Sequence, residues 1–116
     1  MKPPYRYKAK ITNIVDGDTV DAVVDLGFTV SVDIRFRLYG IDTPELRSSD
    51  ESIREEAKKA KQFVIDKLFE REVLIDTYKT DKYGRWLAEI LYEDTTINKM
   101  LIDEGLATPY YGGTKG

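Results

Sequence analysis

The pattern that most restricts the fold is a change of period. From Tyr5 to Tyr39, apolar residues recur at every second position in three runs separated by glycine-containing turns. From about Asp50 they recur at steps of three and four. Period 2 describes a strand with one face on a core, and period 3.6 describes a helix with one stripe on it. In "YRYKAKI", Tyr5, Tyr7, Ala9 and Ile11 alternate with Arg6, Lys8 and Lys10. "VDGDTV" then turns through Gly17, and Val20, Ala22 and Val24 continue on one face of a second strand. "DLGF" turns at Gly27. Val30, Val32, Ile34, Phe36 and Leu38 form the apolar face of a third strand, whose other face carries Asp33, Arg35, Arg37 and Tyr39.

After the change of period, Ile53, Ala57, Ala60, Phe63, Val64 and Leu68 make one stripe of an amphipathic helix, with Ser49 or Asp50 as its N-cap. "EVLIDTYKT" and "RWLAEILY" read as strands joined through "DKYG", where Gly84 supplies the turn. A short helix over "TTINKMLIDE" closes at Gly105. Three strands, a helix, two strands and a helix predict a mainly β fold: a five-stranded Greek-key barrel of the OB type with two or three helices. An open α+β sheet shares the same periodicities. With neither an internal repeat nor a linker, residues 1–116 read as a single domain.

Two absences narrow the chemistry. The chain has neither cysteine nor histidine. That excludes disulfides, thiol nucleophiles and thiolate ligands, and it removes the usual general base and the usual ligand of zinc, copper or nickel. Catalysis must then use carboxylates, lysine, arginine, tyrosine, or a hard cation held by oxygen. The net charge of −3 argues against a broad phosphate-tracking surface, although the first ten residues carry Lys2, Arg6, Lys8 and Lys10 without an acid. There is no long apolar run, and "MKPPYRYKAK" lacks an apolar signal core. The expected location is therefore cytoplasmic, with secretion of a longer precursor as the alternative, and the default oligomeric state is a monomer.

Three segments concentrate charge at turns. Taken singly, "VDGDTV", "IDTPE" and "DKYGR" are ordinary turn sequences. Together they place Asp18, Asp42 and Glu45 at strand ends, where carboxylates can converge on one rim. Two aspartates, a backbone carbonyl and waters suit Ca²⁺ or Mg²⁺. In "RFRLYGIDTPE", Arg37 lies on the outward face five residues before Asp42 and can bind an anion beside that cation. A hard metal next to arginines suggests phosphate-ester chemistry.

"VDGDTV", "FRLYGIDTPE" and "TDKYGR" resemble, in order and approximate spacing, the three signature segments of the staphylococcal-nuclease-like (thermonuclease) family. The likeness continues through "NKMLIDEGLA". The resemblance implies a Ca²⁺-dependent phosphodiesterase that hydrolyses DNA or RNA, or both, with little sequence specificity and leaves 3′-phosphates. It matches Asp18 and Asp42 to calcium-binding aspartates, the Thr43 carbonyl to the backbone ligand, and Glu45 to the base that activates water. Arg37 and Arg85 match the arginines that bind the scissile phosphate. Lys82 and Tyr83 match positions that hold the nucleotide, and Tyr110 or Tyr111 a tyrosine of the same pocket. The connection from Asp18 to Arg37 is longer than in the family's prototype, which implies an extended hairpin around "DLGF". The competing reading is an OB-type module that binds nucleic acid or protein without cleaving it.

Overall fold

The computed structural model describes residues 5–78, 80 and 84–110. Five long strands build its sheet: β1 (Tyr5–Asp16), β2 (Thr19–Gly27), β3 (Val30–Leu38), β5 (Glu72–Tyr78) and β6 (Trp86–Tyr92). They lie in the order β3-β2-β1-β5-β6, with every neighbour antiparallel. A parallel pairing of β3 with β6, through Phe36 with Trp86, Arg37 with Leu87 and Leu38 with Ala88, closes the sheet into a barrel. This is the expected five-stranded Greek-key barrel, and closure excludes the open sheet. Two short strands complete a corner, β4 (Ile41–Asp42) pairing with β8 (Thr108–Pro109), while β7 (Thr95–Thr96) adds to β6.

The core confirms the period-2 reading along most of its length. Ile11, Val20, Ala22, Val24, Phe36, Leu38, Ile75, Ala88 and Ile90 are all buried inside the barrel. Burying side chains of this size is worth about 1.5–3 kcal/mol for each of the larger ones. Strand β1 departs from simple alternation: its pairing with β2 shifts between Ile11 and Asn13, so Ile11 and Ile14, three residues apart, both point inward. An extra residue of this kind bends the strand around the barrel.

Two helices are present among the described residues, neither long and apolar enough to cross a membrane. Helix α1 (Glu51–Leu68) begins at Asp50, whose carboxylate accepts from the amides of Ser52 and Ile53. Its stripe of Ala57, Ala60, Val64 and Leu68 is buried, whereas Ile53 in the first turn is exposed. Helix α2 (Ile97–Asp103) is capped by Thr96, whose hydroxyl accepts from the Lys99 amide. It buries Asn98, which accepts from the Ile90 amide and donates to the carbonyls of Tyr39 and Ala88. One side chain thereby ties α2 to β6 and to the corner after β3.

The third strand corrects part of the sequence reading. Phe36 and Leu38 are buried as expected, but Val30 is 52% and Val32 36% exposed. The reason is that β6 joins β3 only from Phe36 onward, so the outer half of the β2–β3 hairpin extends past the barrel. The turn also falls one residue later than expected. Gly27 pairs with Val30, and Phe28 and Thr29 form the two-residue loop with φ of 56° and 60°.

Candidate active site

The site is assembled around the β1–β2 turn. A Cβ on Gly17 would lie 2.8 Å from the Ala60 Cβ of α1 and 3.0 Å from Thr43 Cγ2. Glycine is there because the turn is pressed directly against the helix and the segment after β4. That contact brings Asp18 to Thr43, whose amide donates to Asp18 Oδ2 at 3.1 Å across 25 positions of sequence. The Thr19 hydroxyl donates to Asp18 Oδ1, and the Leu38 amide donates to the Asp18 carbonyl. Asp18 is 8% exposed.

The end of β3 supplies Arg37, also only 8% exposed. Its face is the one expected, opposite Phe36 and Leu38, but the corner through Gly40 and strand β4 folds back over it, so the residue is buried rather than solvated. Arg37 Nη1 donates to the carbonyls of Leu38 (3.1 Å) and Ile41 (2.8 Å), and Nη2 donates to Asp42 Oδ1 (3.2 Å). Asp18 Oδ2 lies 3.5 Å from Nη1. The guanidinium therefore stands between the two aspartates, fixed by backbone carbonyls. The β4–β8 pairing and a bond from the Tyr110 amide to the Gly40 carbonyl set Tyr110 near it, with the Arg37 fork 6.0 Å from the ring centre.

A cleft of about 560 Å³ opens over this arrangement, and Asp18, Arg37, Asp42, Thr43, Glu45, Arg85 and Tyr110 all line it. Glu45 follows the stiff Pro44 and is exposed; Arg85, just ahead of β6, is exposed as well. Lys82, Tyr83 and Tyr111, the other expected nucleotide contacts, lie outside the described residues. Sequence reasoning missed Asp16 and Arg47, which line the same cleft. Asp16 had a signal, since it opens the acidic pair of "VDGDTV" two residues before Asp18. Arg47 belongs to no charged motif that would have singled it out.

The two neighbouring aspartates differ in their acidity. Burial, then the hydrogen bond and charge of Asp18, push the Asp16 pKa up to about 6. Burial works against charge on Asp18 too, but the hydrogen bond from Asp16, the Arg37 guanidinium and the Thr43 donors outweigh it and hold its pKa below the usual carboxylate range. Asp18 is thus the permanent anion of the pair.

The donor set is oxygen-only and suits a hard cation. Among the described residues, no three acidic side chains are gathered closely enough to hold an ion by themselves. A cation here would take Asp18 and Asp42, the Thr43 carbonyl and water, a composition that Ca²⁺ and Mg²⁺ both accept.

Because the turn has no room for another carbon, Gly17→Ala should cost about 1–3 kcal/mol, the usual penalty of overpacking. Urea denaturation would measure it, and the shift should come with weakened cation affinity because Thr43 has to move.

Comparison with known proteins adds a family to this geometry. Residues 35–115 match the model of the family described as staphylococcal nuclease homologue. Over 99 residues the chain is 34% identical to the thermonuclease of Staphylococcus intermedius, covering 84% of this chain and 56% of that one. It is 30% identical over 112 residues to protein ParB of Escherichia coli, covering 89% and 57%. Over 101 residues it is 27% identical to an uncharacterized endonuclease of Haemophilus influenzae, covering 87% and 51%. The chain spans only a little over half the length of these relatives. The family match includes Arg37, Asp42, Thr43, Glu45 and Arg85, while Asp18 lies ahead of it.

Proposed function

The chain belongs to the staphylococcal nuclease family, and from that membership we propose that it is a nuclease: a Ca²⁺-dependent phosphodiesterase acting on DNA, RNA or both with little sequence specificity and leaving 3′-phosphates. The observation that carries this reading is the single cleft in which two fixed aspartates, a buried arginine, a second arginine and an exposed glutamate meet. The names of the thermonuclease and endonuclease relatives point the same way.

Phosphodiester hydrolysis requires water to reach a phosphorus shielded by negative oxygens, and more charge then develops on those oxygens. Arg37 is held ready for this. Its Nη1 protons are spent on two carbonyls and one Nη2 proton on Asp42, which leaves Nε–H and the last Nη2 proton for a phosphate oxygen. Arg85 adds a second planar fork at the mouth of the cleft. Glu45 takes the proton of the attacking water; a carboxylate is a weak base by itself, so placement has to supply much of the effect. A Ca²⁺ held by Asp18, Asp42 and the Thr43 carbonyl would neutralise phosphate charge and polarise the water. Tyr110 offers a ring on which a base or sugar can rest without reading sequence.

Incubating the protein with plasmid DNA and with RNA, in Ca²⁺ or in excess chelator, tests the proposal. Both substrates, or one of them, should be degraded in Ca²⁺ and left intact in chelator, with slower cleavage in Mg²⁺ because of its stricter octahedral geometry. Retention of nucleic acid without cleavage in Ca²⁺ would identify a binding module instead. Full cleavage in chelator would remove the metal from the mechanism.

A further inference from the structure

Four of the nine large apolar side chains left exposed by the described residues sit on one hairpin: Leu26 at 44%, Phe28 at 96%, Val30 at 52% and Val32 at 36%. The same hairpin has an open edge. Strand β3 pairs with β2 from Val30 to Arg37, but its other side meets β6 only from Phe36 to Leu38. Among the described residues, the backbone from Val30 to Arg35 therefore has a strand partner on one side only. Such edges are commonly guarded by proline, lysine, a bulge or an inward-pointing charge. Here the strand reads Val-Ser-Val-Asp-Ile-Arg, without proline or lysine; its charges, Asp33 and Arg35, lie on the face opposite Phe36, and its ladder with β2 shifts only at the turn end, between Asp25 and Gly27.

We propose that this edge joins two copies of the chain, through antiparallel pairing of the two β3 strands about a twofold axis at Val32. The strand is its own complement in that register. Val32 faces Val32 of the second copy, and Val30 faces Ile34, so the apolar residues share one face. On the other face Ser31 meets Asp33, a hydroxyl donor opposite a carboxylate, and like charges are nowhere opposed. Arg35 stays with Asp21, 2.7 Å away on the neighbouring strand.

The two registers shifted toward the barrel are less favourable. An axis at Asp33 sets two carboxylates face to face. An axis at Ile34 makes Asp33–Arg35 pairs, but it drives Val32 against Phe36, whose free side is already taken by Trp86. In the Val32 register, by contrast, the turn residue Phe28 arrives where Phe36 and the 47% exposed Trp86 of the second copy end the open edge. The pairing thus covers the most exposed aromatic of the hairpin as well as its two valines.

The twofold axis at Val32 lies five residues before Arg37, about 17 Å along a strand, and the turn of the second copy reaches as far as Phe36, where β6 joins. The association is independent of the nuclease reading, and it replaces the monomer expected by default.

Sedimentation velocity over a dilution series, from near-millimolar to low micromolar, provides the test. It should show two chains at the concentrated end and one at the dilute end. The chain has a single tryptophan, so emission from Trp86 should move to shorter wavelength as the dimer forms. Amide exchange from Val30 to Ile34 should slow in parallel. Val32→Lys places two ammonium groups opposite one another and should raise the dissociation constant by more than about tenfold. Val30→Lys, at a more exposed position, serves as the second variant, with circular dichroism showing that both remain folded. One chain at every concentration would overturn the proposal, as would a dimer undiminished in both lysine variants. Exchange that slows only when an oligonucleotide is added to a single chain would also overturn it, by assigning the edge to nucleic acid.

Discussion

Glu45→Gln is expected to lower single-turnover cleavage by about 10²–10⁴-fold, the range for a positioned acid or base. The substitution nearly preserves size and removes only the carboxylate. Glu45 is exposed in the cleft wall, and among its described contacts its backbone carbonyl, not its side chain, accepts from the Ser48 amide. The loop should therefore keep its shape. Nucleotide affinity in Ca²⁺ should persist, since Asp18, Asp42, Arg37 and Arg85 remain, and it should tighten slightly with one negative charge gone from beside the phosphate. Cleavage rate and affinity measured on the same two proteins separate the possible roles. An unchanged rate would show that Glu45 is not the base. Joint loss of metal and nucleotide binding would make it a residue of the metal site instead.

The second large effect is expected from the arginines. Arg37→Lys and Arg85→Lys should each cost about 10²–10³ in rate, the usual loss when one preorganised donor to a developing oxyanion is removed. Lysine keeps the charge but replaces a planar fork with a point. The structure adds a distinction between the two. Arg37 is buried and satisfies the Leu38 and Ile41 carbonyls as well as Asp42, so its replacement should also destabilise the fold, by about 1–3 kcal/mol for buried groups left unpaired. Arg85 is exposed, and its variant should unfold close to the parent's midpoint. Near-normal turnover in both would place these residues outside the chemistry. A matched loss of stability in both would show that Arg85 holds the fold through its contacts as Arg37 does.

Much of this architecture was legible in order along the chain. Period 2 marked the strands, the change to period 3.6 marked α1, and Asp50 and Gly105 bound the helices where capping chemistry puts them. The absence of histidine and cysteine, with acids at three turns, indicated an oxygen-lined site before any fold was known. These features are local: they depend on side chains a few positions apart, and a sequence displays that directly.

Other features depend on how far a neighbouring strand reaches, which no single segment records. The alternation of β3 runs unbroken from Val30 to Leu38, yet only Phe36 and Leu38 are fully buried, because β6 joins at Phe36 and closes the barrel there. Arg37 looks like a solvated residue in its strand pattern and is buried only because β4 folds over it and offers the Ile41 carbonyl. Gly17 reads as a turn glycine, but its necessity comes from Ala60, 43 residues later, at a distance that leaves no room for a Cβ. Asp16 gained its proton affinity from burial and from the hydrogen bond and charge of Asp18, and the acidic pair in the sequence does not record that burial. The sequence by itself determined which residue types face the barrel and which chemistry the charged turns can perform. Tertiary structure alone decided which of those residues lose their water, because burial is set by whichever element packs on top, and that element comes from elsewhere in the chain.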